Sequence, residues 1–269
     1  MRVGLITPRP DHPLLAATSA LLTAAGHEVL VQDPFSEDAE TEADVYLLKA
    51  RTPHALALAR ALERRGARVV NSAGATALLQ DRTTMAGLAR SAGLPFAPTR
   101  TFASLADFAA GPPPAGPVVV KSRHSRKDDL VARVDTPRDL RELAARYPHE
   151  PVVVQEFVPN DGWDEKLWAV GRHVFSAHRR SELALDELDE LDDFGTPPAP
   201  RDRTGLVHRV GEVFGLQVYG VDVIGTEDGT PLIVDINAFP GIRGQAGAPE
   251  ALAALTLEPG TATLPTCRS

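Results

Sequence analysis

Hydrophobic positions recur along the chain in two styles. In the first third, short apolar runs at residues 3–7, 28–32, 44–48 and 67–70 alternate with helically spaced stretches at 14–25 and 53–65. The helices end at Gly26 and Gly66, and Pro53 opens the second. This alternation predicts a small parallel sheet covered by helices. Residues 72–79 and 81–92 read as two more helices, the second closed by Gly93 with Pro95 and Pro98 beyond it. After the proline-rich loop at 112–117 the style changes. Strands are expected at 118–122, 130–134, 152–158, 167–170 and 173–177, with one helix at 137–146 among them. Gly171-Arg172 fits a tight hairpin turn. A helix at 203–214, a last hairpin and a helix at 245–257 complete the pattern.

The chain therefore reads as α/β followed by α+β. Its boundaries are an N-terminal domain at 1–71, a central part at 72–160, a C-terminal part at 161–258 and a tail at 259–269. A length of 269 residues holds two modest domains with a real core. A net charge of −8 speaks against a general nucleic-acid or membrane-surface binder. No apolar stretch is long enough to span a bilayer, and residues 1–7 read as a strand instead of a signal peptide. The single Cys267 makes no internal disulfide, so a reducing cytoplasm is the default setting. The first strand is not followed by G-x-G-x-x-G, which leaves a dinucleotide site without support.

The last hairpin carries the most chemistry. Residues 218–224 and 232–238 are β-branched runs around Asp228-Gly229. A two-residue turn there places Asp222 directly opposite Asp235, with Asn237 on the same face and Ile224 and Ile233 covering it. Facing carboxylates repel unless a positive group sits between them, and a hard cation with oxygen ligands is the simplest candidate. The competing reading is a pair of solvent-facing aspartates. The Asn237 to Gly241 stretch ends the strand in a breaker-rich loop of the kind that binds ligands.

Four further segments each allow a functional and a plain reading. Lys121, at the end of an apolar strand, suits a phosphate contact or a soluble strand end. Residues 122–129 suit an anion-binding flap or a solvated turn; residues 123–129, polar without an apolar face, are expected to be poorly protected until an anion orders them. The strand running into Gln155, Glu156, Phe157 and Val158 offers backbone groups to a flat heterocycle, or is simply buried. Pairing about Gly171 sets Lys166 opposite Ala177 and Arg179 opposite Asp164, as a surface ion pair or as cations reaching for a carboxylate or phosphate. Residues 182–193 are dense in acid and 194–203 rich in Pro and Gly, which reads as an exposed segment.

Taken in order, these motifs resemble the ATP-grasp superfamily, nearest to the glutamate ligases that modify ribosomal protein S6. The resemblance runs from Met1 to about the last helix. Its specific part is Gly220-Val221-Asp222 with Val234-Asp235-Ile236-Asn237-Ala238-Phe239-Pro240-Gly241, and Lys121, the 155–158 segment and Arg179-Arg180-Ser181 accompany it. It implies an ATP-grasp fold with an N-terminal pre-ATP-grasp domain and α+β ATP-binding subdomains. It implies Asp222, Asp235 and Asn237 as ligands of Mg²⁺, with Mn²⁺ as the alternative ion, and Lys121 on the ATP phosphates. Gln155 to Val158 would form the adenine hinge, Asp161 or Asp164 would lie near the ribose, and Lys166, Arg179 and Arg180 would be catalytic. The implied reaction activates a carboxylate as an acyl phosphate that an amine then attacks, on small-molecule or peptide substrates; oligomeric state stays open.

Three positions depart from the family pattern. Asp81-Arg82 stands where a lysine is usual, which makes Arg82 the ATP-contacting cation; residues 123–129 lack the glycines of the usual flap; and residues 186–203 replace a Gly-rich segment bearing Asn. The metal motif is similar also to that of inositol-trisphosphate kinases, for which Lys166, His178 and residues 123–127 would suit an anionic polyol. A nucleotide-binding protein without chemistry is the third reading.

Overall fold

The structure, a computed structural model, describes residues 1–35, 42–126, 128–160, 162–181, 183, 201–226 and 228–259. The expected acidic segment, Lys127, Asp161 and Cys267 lie outside these residues or within the gaps. Two compact units emerge, the first comprising residues 1–73, 170–173 and the C-terminal residues from 241, the second 74–169 and 174–240.

The first unit holds the parallel sheet that the alternation predicts. Strands β1 (Arg2–Ile6), β2 (Glu28–Gln32), β3 (Val45–Leu48) and β4 (Arg68–Val70) pair in the order β2-β1-β3-β4, joined by helices α1 (Pro13–Ala24) and α2 (Pro53–Arg64). All four residues of β3 are buried, as a central parallel strand covered on both faces requires. Thr52 caps α2 by accepting from the Ala55 amide at 3.2 Å, ahead of Pro53. The last helix, α8 (Ala248–Leu257), packs on α1 in this unit, where Thr18 lies against the Pro249 carbonyl. Arg68 closes the C-terminal end of α8, donating to the carbonyls of Leu255, Thr256 and Glu258.

The second unit opens with α3 (Ala73–Leu78) and α4 (Arg82–Ser91) and contains two sheets. One is antiparallel, in the order β5-β8-β6-β7, built from β5 (Thr99–Phe102), β6 (Val118–Ser122), β7 (Val131–Val134) and β8 (Val152–Glu156). Helices α5 (Leu105–Ala110) and α6 (Pro137–Arg146) go with it, and Leu105, Phe108, Val118, Val120, Leu140 and Val152 form its core. Sequence periodicity missed β5 and α5 because each is short: β5 alternates too little to register, and α5 is barely a turn and a half capped by Ser104. The other sheet has the order β10-β9-β11-β12, from β9 (Trp163–Val170), β10 (His173–Arg180), β11 (Val218–Gly225) and β12 (Pro231–Ala238), backed by α7 (Thr204–Phe214). Its buried face joins Met85 and Ala89 of α4 with Leu167, Val210, Phe214, Tyr219, Val221, Ile233 and Ile236.

The β11/β12 hairpin differs from expectation in one instructive way. Asp222 does face Asp235, but Gly225 pairs with Pro231 and Val223 with Ile233, so the register shifts by one residue between Asp222 and Val223. The turn is a three-residue loop with Gly229 at φ 79°, closed by the Thr226 amide on the Thr230 carbonyl at 3.0 Å. A bulge then restores the pairing of the aspartates. Consequently Ile233 does not cover the carboxylate face as expected. It is fully buried on the opposite face, in the core with α4 and α7. Its amide and carbonyl pair outward with Pro95 at 2.7 Å and Ala97 at 2.9 Å, so residues 95–97 cover the outer edge of β12. Phe239, at φ 42°, then turns the chain out of the strand.

Gly211 of α7 lies under Tyr219, whose hydroxyl donates to the Val207 carbonyl at 2.7 Å. A Cβ at Gly211 would run into the Tyr219 hydroxyl and ring. Gly211→Ala is expected to destabilise the protein by about 1–2 kcal/mol, overpacking outweighing the gain in helix propensity. Urea denaturation of the two proteins measures the difference.

Candidate active site

In the second unit, one cavity of about 450 Å³ lies against β6, β8, β11 and β12. Its walls are apolar, with Val119, Val131, Ile224, Leu232 and Val234, and its polar lining includes Lys121, Asp164, Arg179, Asp222 and Asp235. That size and that balance suit a nucleotide-sized ligand.

The charges at its base form one connected group. Lys121 is buried and donates from Nζ to the carbonyl of Val234 at 2.8 Å, the residue at the bulge. Lys166 donates to both oxygens of Asp222, at 3.0 and 3.1 Å. Arg82, at the start of α4, reaches Asp235 at 3.1 Å, Asp129 at 2.6 Å and the Ser122 carbonyl at 2.8 Å. The facing carboxylates are thus held together by cations from α4 and β9, with Lys121 beside them. A metal ion is not required to explain their coexistence. Among the described residues no group of three or more His, Cys, Asp or Glu side chains converges as a metal cluster.

Burial governs the protonation of this group. It pulls the Lys121 ammonium below the usual lysine range, against the pull of Asp235, Asp222 and Asp164. It likewise pushes the Asp222 carboxyl up, aided by Asp235 and opposed by Lys166 and Lys121. At Arg82 burial acts against the charge, but Asp235 and Asp129 outweigh it and the guanidinium is held more firmly protonated.

The cavity brings together nine of the positions singled out in the sequence: Lys121, Gln155, Glu156, Phe157, Val158, Asp164, Arg179, Asp222 and Asp235. Gln155 is committed in part, its amide donating to Thr99 Oγ1 at 3.0 Å. The Phe157 ring carries the Arg133 guanidinium 4.0 Å from its centre, and its amide donates to the Pro117 carbonyl. Arg179 lies 3.5 Å from Asp164, the partner that the hairpin register predicts. Lys166 and Arg82 are not in the lining but grip the two carboxylates that are. Arg180 stacks over Trp163 at 5.5 Å, and Asn237 pairs across the ladder with Gly220, two positions along from Asp235. Asp161 lies outside the described residues.

The stretch after Lys121 is anchored, contrary to the expectation of a loose flap. Arg123 grips Asp81 through both Nε and Nη2, the latter at 2.7 Å, and Arg126 pairs with Glu150 at 2.8 Å. The Arg123 amide and carbonyl meet Pro151 and Arg82, and the Ser125 amide meets Gln80. Arg123 and Arg126 thus serve internal ion pairs, and the last aspartate of the stretch, Asp129, holds Arg82. The role of Asp129 was open to view in the sequence only as an acid ending a basic run. The Val234 carbonyl, freed by a bulge, left no sequence signal.

No family model matches the chain. A probable alpha-L-glutamate ligase from Xanthomonas campestris pv. campestris is 30% identical over 142 residues, 51% of this chain and 48% of that protein. The chain spans about half the length of such relatives. Among solved structures, a RimK domain ATP-grasp protein from Sphaerobacter thermophilus superposes with a TM-score of 0.71 at 25% identity, covering 96% of this chain and all of that one (100%). The D-cycloserine synthetase DcsG superposes at 0.68 with 18% identity, over 94% and 99% of the two chains.

Asp81 allows the anchoring of residues 123–126 to be tested. Burial alone would raise its carboxyl, but hydrogen bonds from Arg123 and the Thr83 and Thr84 amides carry it below the usual range. A depressed carboxyl stabilises the fold above its unfolded pKa, and the contribution is lost as pH falls through the depressed value. Asp81→Asn keeps the α4 cap and removes the ion pair. It is expected to cost about 1 kcal/mol at neutral pH, given the partial exposure of Arg123, and close to nothing in acid. Urea denaturation of both proteins at the two pH values checks it.

Proposed function

We propose that this chain, an ATP-grasp protein, is an ATP-dependent ligase that joins a carboxylate to an amine. The observation that supports this best is the cavity whose apolar walls end on Lys121, Asp222 and Asp235, backed by Lys166 and Arg82. Such a floor suits a polyphosphate whose charge is redistributed during transfer, because the compensating groups are already fixed and partly desolvated.

In this reading the adenine lies between the apolar walls against Glu156 and Val158, with Asp164 on the ribose side. Lys121 takes the phosphate charge, which would restore its full protonation against the effect of burial. Arg82 acts as a positioning residue, holding Asp235 through one amino group while Asp129 holds the other. Arg179, in the lining, and Lys166, on Asp222, supply positive charge where the γ-phosphoryl group leaves ADP for the acceptor carboxylate. The amine nitrogen then bonds to the acyl carbon as phosphate departs with the bonding electrons, and the amine's proton goes to solvent or a neighbouring base.

The oxygen donors fit a hard divalent cation: two carboxylates opposite each other and an amide two positions along. Asp222, Asp235 and Asn237 would hold Mg²⁺, or Mn²⁺, which supplies charge neutralisation on the phosphates when bound. Substrates are small molecules or peptides bearing the carboxylate and the amine. No helix among the described residues is long and apolar enough to cross a membrane.

Two measurements test the reading. Mg-ATP is expected to raise the melting temperature, and Lys121→Met to abolish most of that shift, since a ligand stabilises only the state that binds it. An equal shift in the variant would move the phosphate contact elsewhere. Phosphate release is expected only with a carboxylate and an amine present together, and Asp235→Asn is expected to lower it roughly 100-fold or more. Transfer of the phosphoryl group to a polyol would favour the kinase reading, and nucleotide binding without turnover the third.

A further inference from the structure

The ligase reading gives no role to Arg133 of β7, yet the ladder register sets it beside the cavity. Lys121 of β6 pairs with Val131, and Val119 pairs with Arg133 on one side and with Gln155 of β8 on the other. Lys121, Val131, Val119 and Gln155 all line the cavity. Arg133, two positions along from Val131, therefore shares the cavity face of the sheet, while Val118, Val120 and Val134 fill the core on the other face.

Three separate parts of the chain meet on its guanidinium. The ring of Phe157, just beyond β8, has its centre 4.0 Å away, well inside the range of a cation–π contact. Nη1 donates to the carbonyl of Leu183, beyond β10, at 3.1 Å. Nε donates to Asp135 at 2.8 Å, and Nη2 lies 2.8 Å from the same oxygen. Phe157 and Leu183 line the cavity, whereas Arg133 is not part of the lining.

We propose that Arg133 is a positioning residue for the nucleotide base: by holding Phe157 and Leu183 together it shapes the end of the cavity that takes the base, and it acts without touching the ligand. The inference rests on the reading that this cavity takes ATP. The Phe157 amide donates to the Pro117 carbonyl, four positions before Lys121, so the anchor of the ring stands roughly 13 Å along the chain from the lysine. The base and the terminal phosphates of an extended nucleotide are separated by a similar span. An arginine that merely paired with a neighbouring acid would contribute little and need no ring against it. Here Asp135 takes one edge of the guanidinium and fixes its plane, which leaves the face to Phe157 and an amino group to Leu183. A planar fork does all three at once; an ammonium could cover the ring but not hold both oxygens in those directions. Two residues before Leu183 the chain is tied again, the Ser181 amide donating to the Gly162 carbonyl at 2.9 Å. A slot fixed before the base arrives loses less freedom on binding. Other groups hold the phosphate end, so the loss of Arg133 is felt at the base.

Isothermal titration calorimetry on the whole chain tests the proposal, with Mg-ATP and with Mg-tripolyphosphate, which has the phosphates and no base. Arg133→Met is expected to weaken Mg-ATP at least about fivefold and tripolyphosphate less than about twofold. Arg133→Lys, which keeps a cation for the ring, should lose less. Phe157→Leu should show the same selective loss, and the double variant should lose about as much as the larger single one, because residues acting through one contact are not additive. Equal weakening of both probes, additive losses in the double variant, or a loss of Mg-ATP affinity below about fivefold in Arg133→Met would overturn the proposal. A wild-type chain that binds tripolyphosphate as tightly as Mg-ATP would overturn it as well, but by refuting base recognition in the cavity, a failure visible before any variant is made.

Discussion

The facing of Asp222 and Asp235 across one ladder is the constraint around which the second unit is arranged. Two half-buried carboxylates facing each other across a sheet cannot both stay ionised in an apolar setting without compensation. The compensation comes from separate parts of the chain: Arg82 from α4, Lys166 from β9 and Lys121 from β6. Each also ties its element to the β11/β12 hairpin. The ionic cluster and the apolar core of Met85, Val210, Tyr219 and Ile233 therefore lie on opposite faces of the same hairpin. Electrostatics acts on one face of the hairpin and apolar packing on the other.

Much of this was legible from local pattern. The order of the parallel strands and their helices follows from alternation of periods, and the pairing of Asp222 with Asp235 from an Asp-Gly turn. That pairing was right through two compensating irregularities: a turn one residue longer and a bulge at the aspartates. The side assigned to Ile233 was wrong for the same reason, because one inserted residue reverses the faces of a strand on one side of it only. Next to the bulge the outer edge of β12 pairs with residues 95–97, a tertiary contact that no local window contains. The short β5 and α5 escaped because so few residues cannot establish a period.

Charge patterns were harder to read than apolar ones. The basic run after Lys121 suggested an anion-seeking flap, since composition shows the cations but not their partners. Those partners, Asp81 and Glu150, lie 42 and 24 positions away from Arg123 and Arg126, and a sequence gives no sign of which acid meets which base. The same blindness affected Arg82, whose charge was noted and whose commitment to Asp129 and Asp235 was not.

At the base of the cavity, Arg82, Lys121 and Lys166 are matched against Asp129, Asp222 and Asp235, so incoming phosphates and metal would exchange partners within a balanced set. Such an exchange demands little net desolvation energy and lets charge shift during transfer without moving the scaffold. Balanced charge fits a place where bonds are exchanged.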